Sequence, residues 1–148
     1  MRRLPLLAAL LFAFTSPAVA QGPDDHRGVR DAVLDYVEGI YQVQPERIAR
    51  SVHPTLHKQG MVSRDAKTYR GPMPMTYDQL HALAASWNKD NAQVDPATAT
   101  KVVEVFDVQD ATAIAKLTAS WGTDYFLLAK MDGKWMIMQV LWQTPMAE

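Results

Sequence analysis

Residues 100–144 constrain the fold more than any other part of the chain. The segment is rich in strand formers and is cut by three turn signals: Gln109-Asp110, Gly122-Thr123 and Asp132-Gly133. Their spacing predicts four antiparallel strands in a meander. Asp132-Gly133 is the strongest of the three, because a type I′ turn needs positive φ at both central residues. A two-residue turn there sets the register of the last hairpin: Lys130 opposite Trp135, Leu128 opposite Ile137, and Phe126 opposite Gln139. The other face then carries Leu127, Met136, Met138, Val140 and Trp142. Both faces are apolar, and such a sheet is normally covered on both sides.

The chain before residue 100 supplies one cover. Val29, Val33, Tyr36, Val37 and Ile40 recur at helical spacing and predict a first helix from about His26 to Gln42. A short second helix begins at Pro45 and buries Ile48, Ala49 and Val52, with Pro54 as its stop. Two short strands, 56–63 and 68–70, flank a turn at 64–67, and Gly71-Pro72-Met73-Pro74 reads as a stiff connector. Thr76-x-x-Gln79 matches a capping box and starts a third helix with Tyr77, Leu80, Leu83, Ala84 and Trp87 on its apolar face. Residues 88–98 read as a loop. The fold class expected is α+β: three N-terminal helices on a curved, mainly antiparallel sheet ending in a four-strand meander. The uncovered sheet face is an expected contact surface for a second copy, so a homodimer is expected.

The extreme N-terminus has another origin. Arg2-Arg3, the apolar run 4–14, a break at 15–17 and Ala18-Val19-Ala20 form a signal-peptide pattern with cleavage after Ala20. The run is too short for a bilayer-spanning helix, which needs about 20 residues. The expectation is a single domain over residues 21–148, periplasmic or secreted, with no membrane attachment after cleavage. With no cysteine, disulfides are excluded and stability must come from packing. The formal net charge of -1 includes no basic stripe, which argues against nucleic acid as a partner.

Three stretches resemble the nuclear-transport-factor-2-like superfamily, whose fold is an α+β cone. Residues 32–39, Ala-Val-Leu-Asp-Tyr-Val-Glu-Gly, resemble its first helix. Residues 45–54, Pro-Glu-Arg-Ile-Ala-Arg-Ser-Val-His-Pro, resemble its second helix and the exit from it. Residues 125–137, Tyr-Phe-Leu-Leu-Ala-Lys-Met-Asp-Gly-Lys-Trp-Met-Ile, resemble the closing hairpin of its putative lumazine-binding, SnoaL-like branch. The resemblance implies a cone enclosing a pocket. It places Tyr36 where the steroid isomerases of the superfamily keep a helix-borne phenol. It places their base carboxylate near Gln59 or Gly60, neither of which can take that role, and pattern alone sets no carboxylate from the last strands inside the cone.

Candidate residues follow from these readings. Tyr36 and His57 are the catalytic candidates, a phenol donor and a base. The pocket candidates are Tyr36, Ile40, Val52 and Leu83, together with Trp87, Met138 and Trp142. His53 and His57, four apart but divided by Pro54, are a weak metal pattern with no third ligand in view, so no metal is assigned and no cofactor is expected. Arg64, Lys67 and Arg70 read as a solvated rim. The functional expectation is a non-catalytic binding or accessory domain for a small apolar or aromatic ligand. The alternatives are a cofactor-free isomerase, dehydratase or cyclase, and a filled cone that binds protein.

Overall fold

The computed structural model describes residues 22–65 and 67–145. The expected signal peptide, residues 1–20, lies outside the described residues. Three helices, α1 (Pro23–Tyr41), α2 (Pro45–Ser51) and α3 (Tyr77–Ala84), pack on one curved sheet. The strands are β1 (Val52–Ser63), β2 (Tyr69–Met75), β3 (Lys101–Val108), β4 (Thr112–Ala119), β5 (Gly122–Met131) and β6 (Lys134–Gln143). Their order is β2-β1-β6-β5-β4-β3, and every neighbour pair is antiparallel except β1 with β6. The α+β class, the three helices and the final meander are as expected from the sequence.

α1 buries Val29, Val33, Tyr36, Val37 and Ile40, the stripe read from the sequence, and starts three residues earlier than expected because Pro23 fits its first turn. The capping box of α3 forms: Thr76 N donates to Gln79 Oε1 (2.9 Å) and Gln79 N donates to Thr76 Oγ1 (3.2 Å). Asp132 and Gly133 take φ of 50° and 78°, as the hairpin requires.

Three expectations are corrected. Residues 71–74 are not a connector but the body of β2. β2 is an edge strand, where a missing proline N–H costs little because one side of the ladder is unpaired. The β4–β5 turn is Ser120-Trp121, not Gly122-Thr123, since Ala119 pairs with Gly122. Gly122 is a glycine because a Cβ there would lie 2.0 Å from the Gln143 carbonyl oxygen. Finally, Phe126 opposes Val140 and not Gln139, because a bulge interrupts the β5–β6 ladder between Leu127 and Leu128. One extra residue in β6 reverses the facing of everything after it. Val140 is therefore buried against the helices, while Leu127 and Leu141 are on the open face.

The inner sheet face and α1 form one core. The outer face of the sheet exposes Val102, Ile114, Tyr125, Leu127 and Leu141, between 42% and 54% accessible.

Candidate functional site

Two adjacent rows of residues cross the inner face of the sheet. One runs Gly60, Trp142, Asp124, Leu117 over β1, β6, β5 and β4. The next runs Lys58, Val140, Phe126, Ala115. Lys58 and Asp124 are thus diagonal neighbours across β6, and Tyr36 descends on them from α1. Lys58 Nζ donates to Tyr36 Oη (2.7 Å) and to Asp124 Oδ1 (3.4 Å). Tyr36 Oη donates to Asp124 Oδ1 (3.3 Å), and Trp121 Nε1 donates to Asp124 Oδ2 (2.6 Å). All three polar residues are buried: Asp124 is 0% accessible, Tyr36 1% and Lys58 5%.

The electrostatics follow from that burial. Loss of hydration pulls the Lys58 ammonium below the usual lysine range, and the Asp124 carboxylate partly restores it. Burial raises the Tyr36 phenol well above its ordinary value, and the neighbouring Asp124 charge adds to the effect. Asp124 collects three donors, from Tyr36, Lys58 and Trp121, which replace the hydration it loses on burial. Lys58 Nζ also lies 5.2 Å from the Trp142 ring centroid and 5.4 Å from that of Tyr36, within reach of both π faces.

A cavity of about 120 Å³ opens onto this cluster. Tyr36 and Lys58 reach its wall, and Asp124 is behind them. The remaining wall is apolar: Ile40, Leu80, Leu83 and Met75, with Trp87, Trp121 and Trp142. The tryptophans are held edge-on or stacked: Trp87 meets Trp121 at 5.6 Å and 87°, and Tyr41 stacks on Trp87 at 6.0 Å. Trp142 lies flat over Gly60, where a Cβ would come within 2.2 Å of its ring. Asn88, next to Trp87 in the chain and fully buried, donates to the Tyr41 and Val94 carbonyls and accepts from the Gln93 and Val94 amides.

Of the residues singled out from the sequence, Tyr36, Ile40, Leu83, Trp87 and Trp142 are brought together around this cavity. Val52 and Met138 are not. Val52 is wholly buried in the core beside Ile137, and Met138 sits at the β6 bulge outside the cavity wall. His57 is exposed on the outer face, in a shallow groove with Tyr125, Leu127 and Leu141. Its strand neighbours Leu56 and Lys58 point inward, so alternation turns it away from Tyr36. His53 is engaged with Thr55 (Nδ1 to Oγ1, 2.7 Å). Among the described residues no three His, Cys, Asp or Glu side chains are placed to hold a metal ion. Arg64, Lys67 and Arg70 are exposed.

Lys58 and Asp124 were not singled out by the sequence reading. Strand parity carries the signal for both: Lys58 is two residues from the buried Leu56, and Asp124 two from the buried Phe126. The misplaced turn at 122–123 hid Asp124, and it corrects the expectation that no late carboxylate lies inside the cone.

Comparison with known proteins agrees with this architecture. An NTF2-like protein of unknown function from Silicibacter pomeroyi superposes with a TM-score of 0.60 at 14% identity, covering 84% of this chain and 99% of that one. One from Shewanella baltica gives 0.61 at 17% identity, covering 84% and 96%. One from Methylobacillus flagellatus gives 0.58 at 18% identity, covering 86% and 98%. At these identities the likeness is one of fold. No functionally curated protein matches the sequence significantly. The family described as "Putative lumazine-binding" matches residues 24–143, from the first turn of α1 to the end of β6, and the chain belongs to that family.

Proposed function

We propose that the protein is an exported, non-catalytic binding protein for a small, flat, mainly apolar molecule carrying one oxygen acceptor. The observation that carries this reading is the coordination of Lys58. An ammonium has three N–H donors. Two of them go to Tyr36 and Asp124, and the third has no acceptor among the described residues. In a cavity otherwise walled by tryptophan and aliphatic side chains, a ligand oxygen would complete it. Asp124 already balances the lysine charge, which favours a neutral carbonyl or hydroxyl over a carboxylate. The volume supports a ligand of one ring: an apolar cavity of about 150 Å³ takes up benzene, and drug-sized ligands occupy roughly 300–1,000 Å³. A single ring fits that space better than the fused bicycle of a lumazine.

Native mass spectrometry of protein isolated from the periplasm tests this. A retained molecule of single-ring size, lost in Lys58→Met, is the expected result. Protein that is empty, and whose tryptophan fluorescence is unmoved by small aromatic alcohols and ketones, contradicts it.

The outer sheet face supports a second part of the proposal, a homodimer. Tyr125, Leu127 and Leu141 form an apolar strip across β5 and β6 that none of the described helices covers. Contiguous exposed apolar surface of that kind marks a contact surface.

A further inference from the structure

The geometry points to Lys58 as a nucleophile toward small carbonyl compounds: we propose that its amine forms a reversible imine with an aromatic aldehyde or ketone bound in the cavity. This rests on the binding reading above and adds a covalent step to it. Four features of the site meet at one nitrogen. The amine is in the cavity wall and shielded from bulk water. A carboxylate at 3.4 Å can take its proton. A phenol at 2.7 Å stands beside the position the carbonyl oxygen would occupy. Two aromatic faces and one carboxylate are in place for the positive charge of the product. Burial also draws the lysine toward its neutral, nucleophilic form, as in other amine nucleophiles held in apolar pockets.

The step balances without a further reagent. The Lys58 ammonium passes one proton to Asp124. The freed lone pair forms the C–N bond while the carbonyl π pair moves to oxygen, which takes a proton from the Tyr36 hydroxyl. The nitrogen, now carrying one proton too many, returns one to Tyr36. Asp124 then delivers its proton through Tyr36 to the carbinolamine hydroxyl. Water leaves as the nitrogen lone pair closes the C=N bond. The result is a protonated imine beside the Asp124 carboxylate, with one water released and no net change in charge. Asp124 acts here from behind the wall, through Tyr36, at 3.3 Å.

The test is reductive trapping. The folded protein is treated with benzaldehyde and cyanoborohydride at neutral pH, and the fixed benzyl group is located by peptide mapping. Labelling of Lys58 in preference to Lys67, Lys89, Lys101, Lys116, Lys130 and Lys134 is the expected result. Labelling confined to those other lysines, or equal on all, overturns the proposal. Binding of benzyl alcohol, which cannot form an imine, is read in parallel from tryptophan fluorescence. If it binds and Lys58 is not labelled, the imine fails and the binding reading stands; if neither occurs, both fail. Tyr36→Phe keeps the ring but not the proton, and is expected to slow Lys58 labelling by about 100-fold at saturating benzaldehyde. An unchanged rate in that variant overturns the proton path.

Discussion

Lys58 Nζ lies 2.7 Å from the Tyr36 hydroxyl and 3.4 Å from the Asp124 carboxylate, on a sheet face otherwise built from hydrocarbon. A buried pair of this kind contributes little net stability, but either half alone is costly. Lys58→Met is therefore expected to lose about 3–5 kcal/mol of unfolding free energy, because it leaves the buried Asp124 carboxyl without its charge partner and with only Tyr36 and Trp121 as donors. Lys58→Met combined with Asp124→Asn should recover much of that loss. Urea unfolding of the two single variants and the double variant measures the coupling, and strictly additive losses would show that the two groups do not act as a pair.

Alkaline pH should separate Tyr36 from Lys58. The folded Tyr36 phenol holds its proton to well above the ordinary 10.0. An unfolded phenol releases it near pH 10. Above that point the folded state binds more protons, so stability is full below it and falls as pH rises. Lys58 has the opposite slope, because its folded value lies below 10.5. Between the two, the unfolded chain binds more protons and stability rises with pH. Wild type should thus rise and then turn down near pH 10. Tyr36→Phe should keep the rise and flatten the fall; an identical fall in both proteins would remove Tyr36 as its cause.

Gly60 sets the seat of Trp142. A methyl group there would lie 2.2 Å from Trp142 Cε2, so Gly60→Ala must push the indole out of the cavity wall. The expected cost is about 1–3 kcal/mol, the range for overpacking a filled site. A changed tryptophan emission spectrum should accompany it. A variant of wild-type stability and emission would mean that the indole has room to move.

The outer sheet face gives a prediction independent of the cavity. Leu127 is 45% accessible at the centre of the apolar strip. Sedimentation of the wild-type domain should report a dimer at micromolar concentration, and Leu127→Lys a folded monomer. A wild-type monomer at that concentration would end the dimer proposal.

The helices were legible because each has a local rule behind it: the stripe Val29–Val33–Tyr36–Val37–Ile40, the Pro45 start of α2, and the Thr76–Gln79 box. The Asp132-Gly133 hairpin was legible for the same reason. What escaped was parity. The β6 bulge has no residue type of its own, and it alone decides whether Val140 and Trp142 face the helices or the solvent. Trp142 entered the pocket candidates as a large aromatic, while the register derived from the hairpin placed it on the opposite face. The polar cluster escaped because its members come from three distant places, α1, β1 and β5, and only the parallel pairing of β1 with β6 sets Lys58 beside Asp124. No local pattern encodes that pairing.

The position of β6 has a consequence for assembly. The strand nearest the end of the chain occupies the middle of the sheet, between β1 and β5. Until it docks, the β2–β1 pair and the β3–β4–β5 meander share no strand pairing, and α1, which packs on β3 and β4, is what links them. Contacts spanning so much of the chain must wait for the closure of a long loop, and they slow folding. The register that sets Lys58 and Asp124 on either side of β6 is therefore completed only when that strand docks, and until then the cavity lacks the part of its wall that Trp142 supplies.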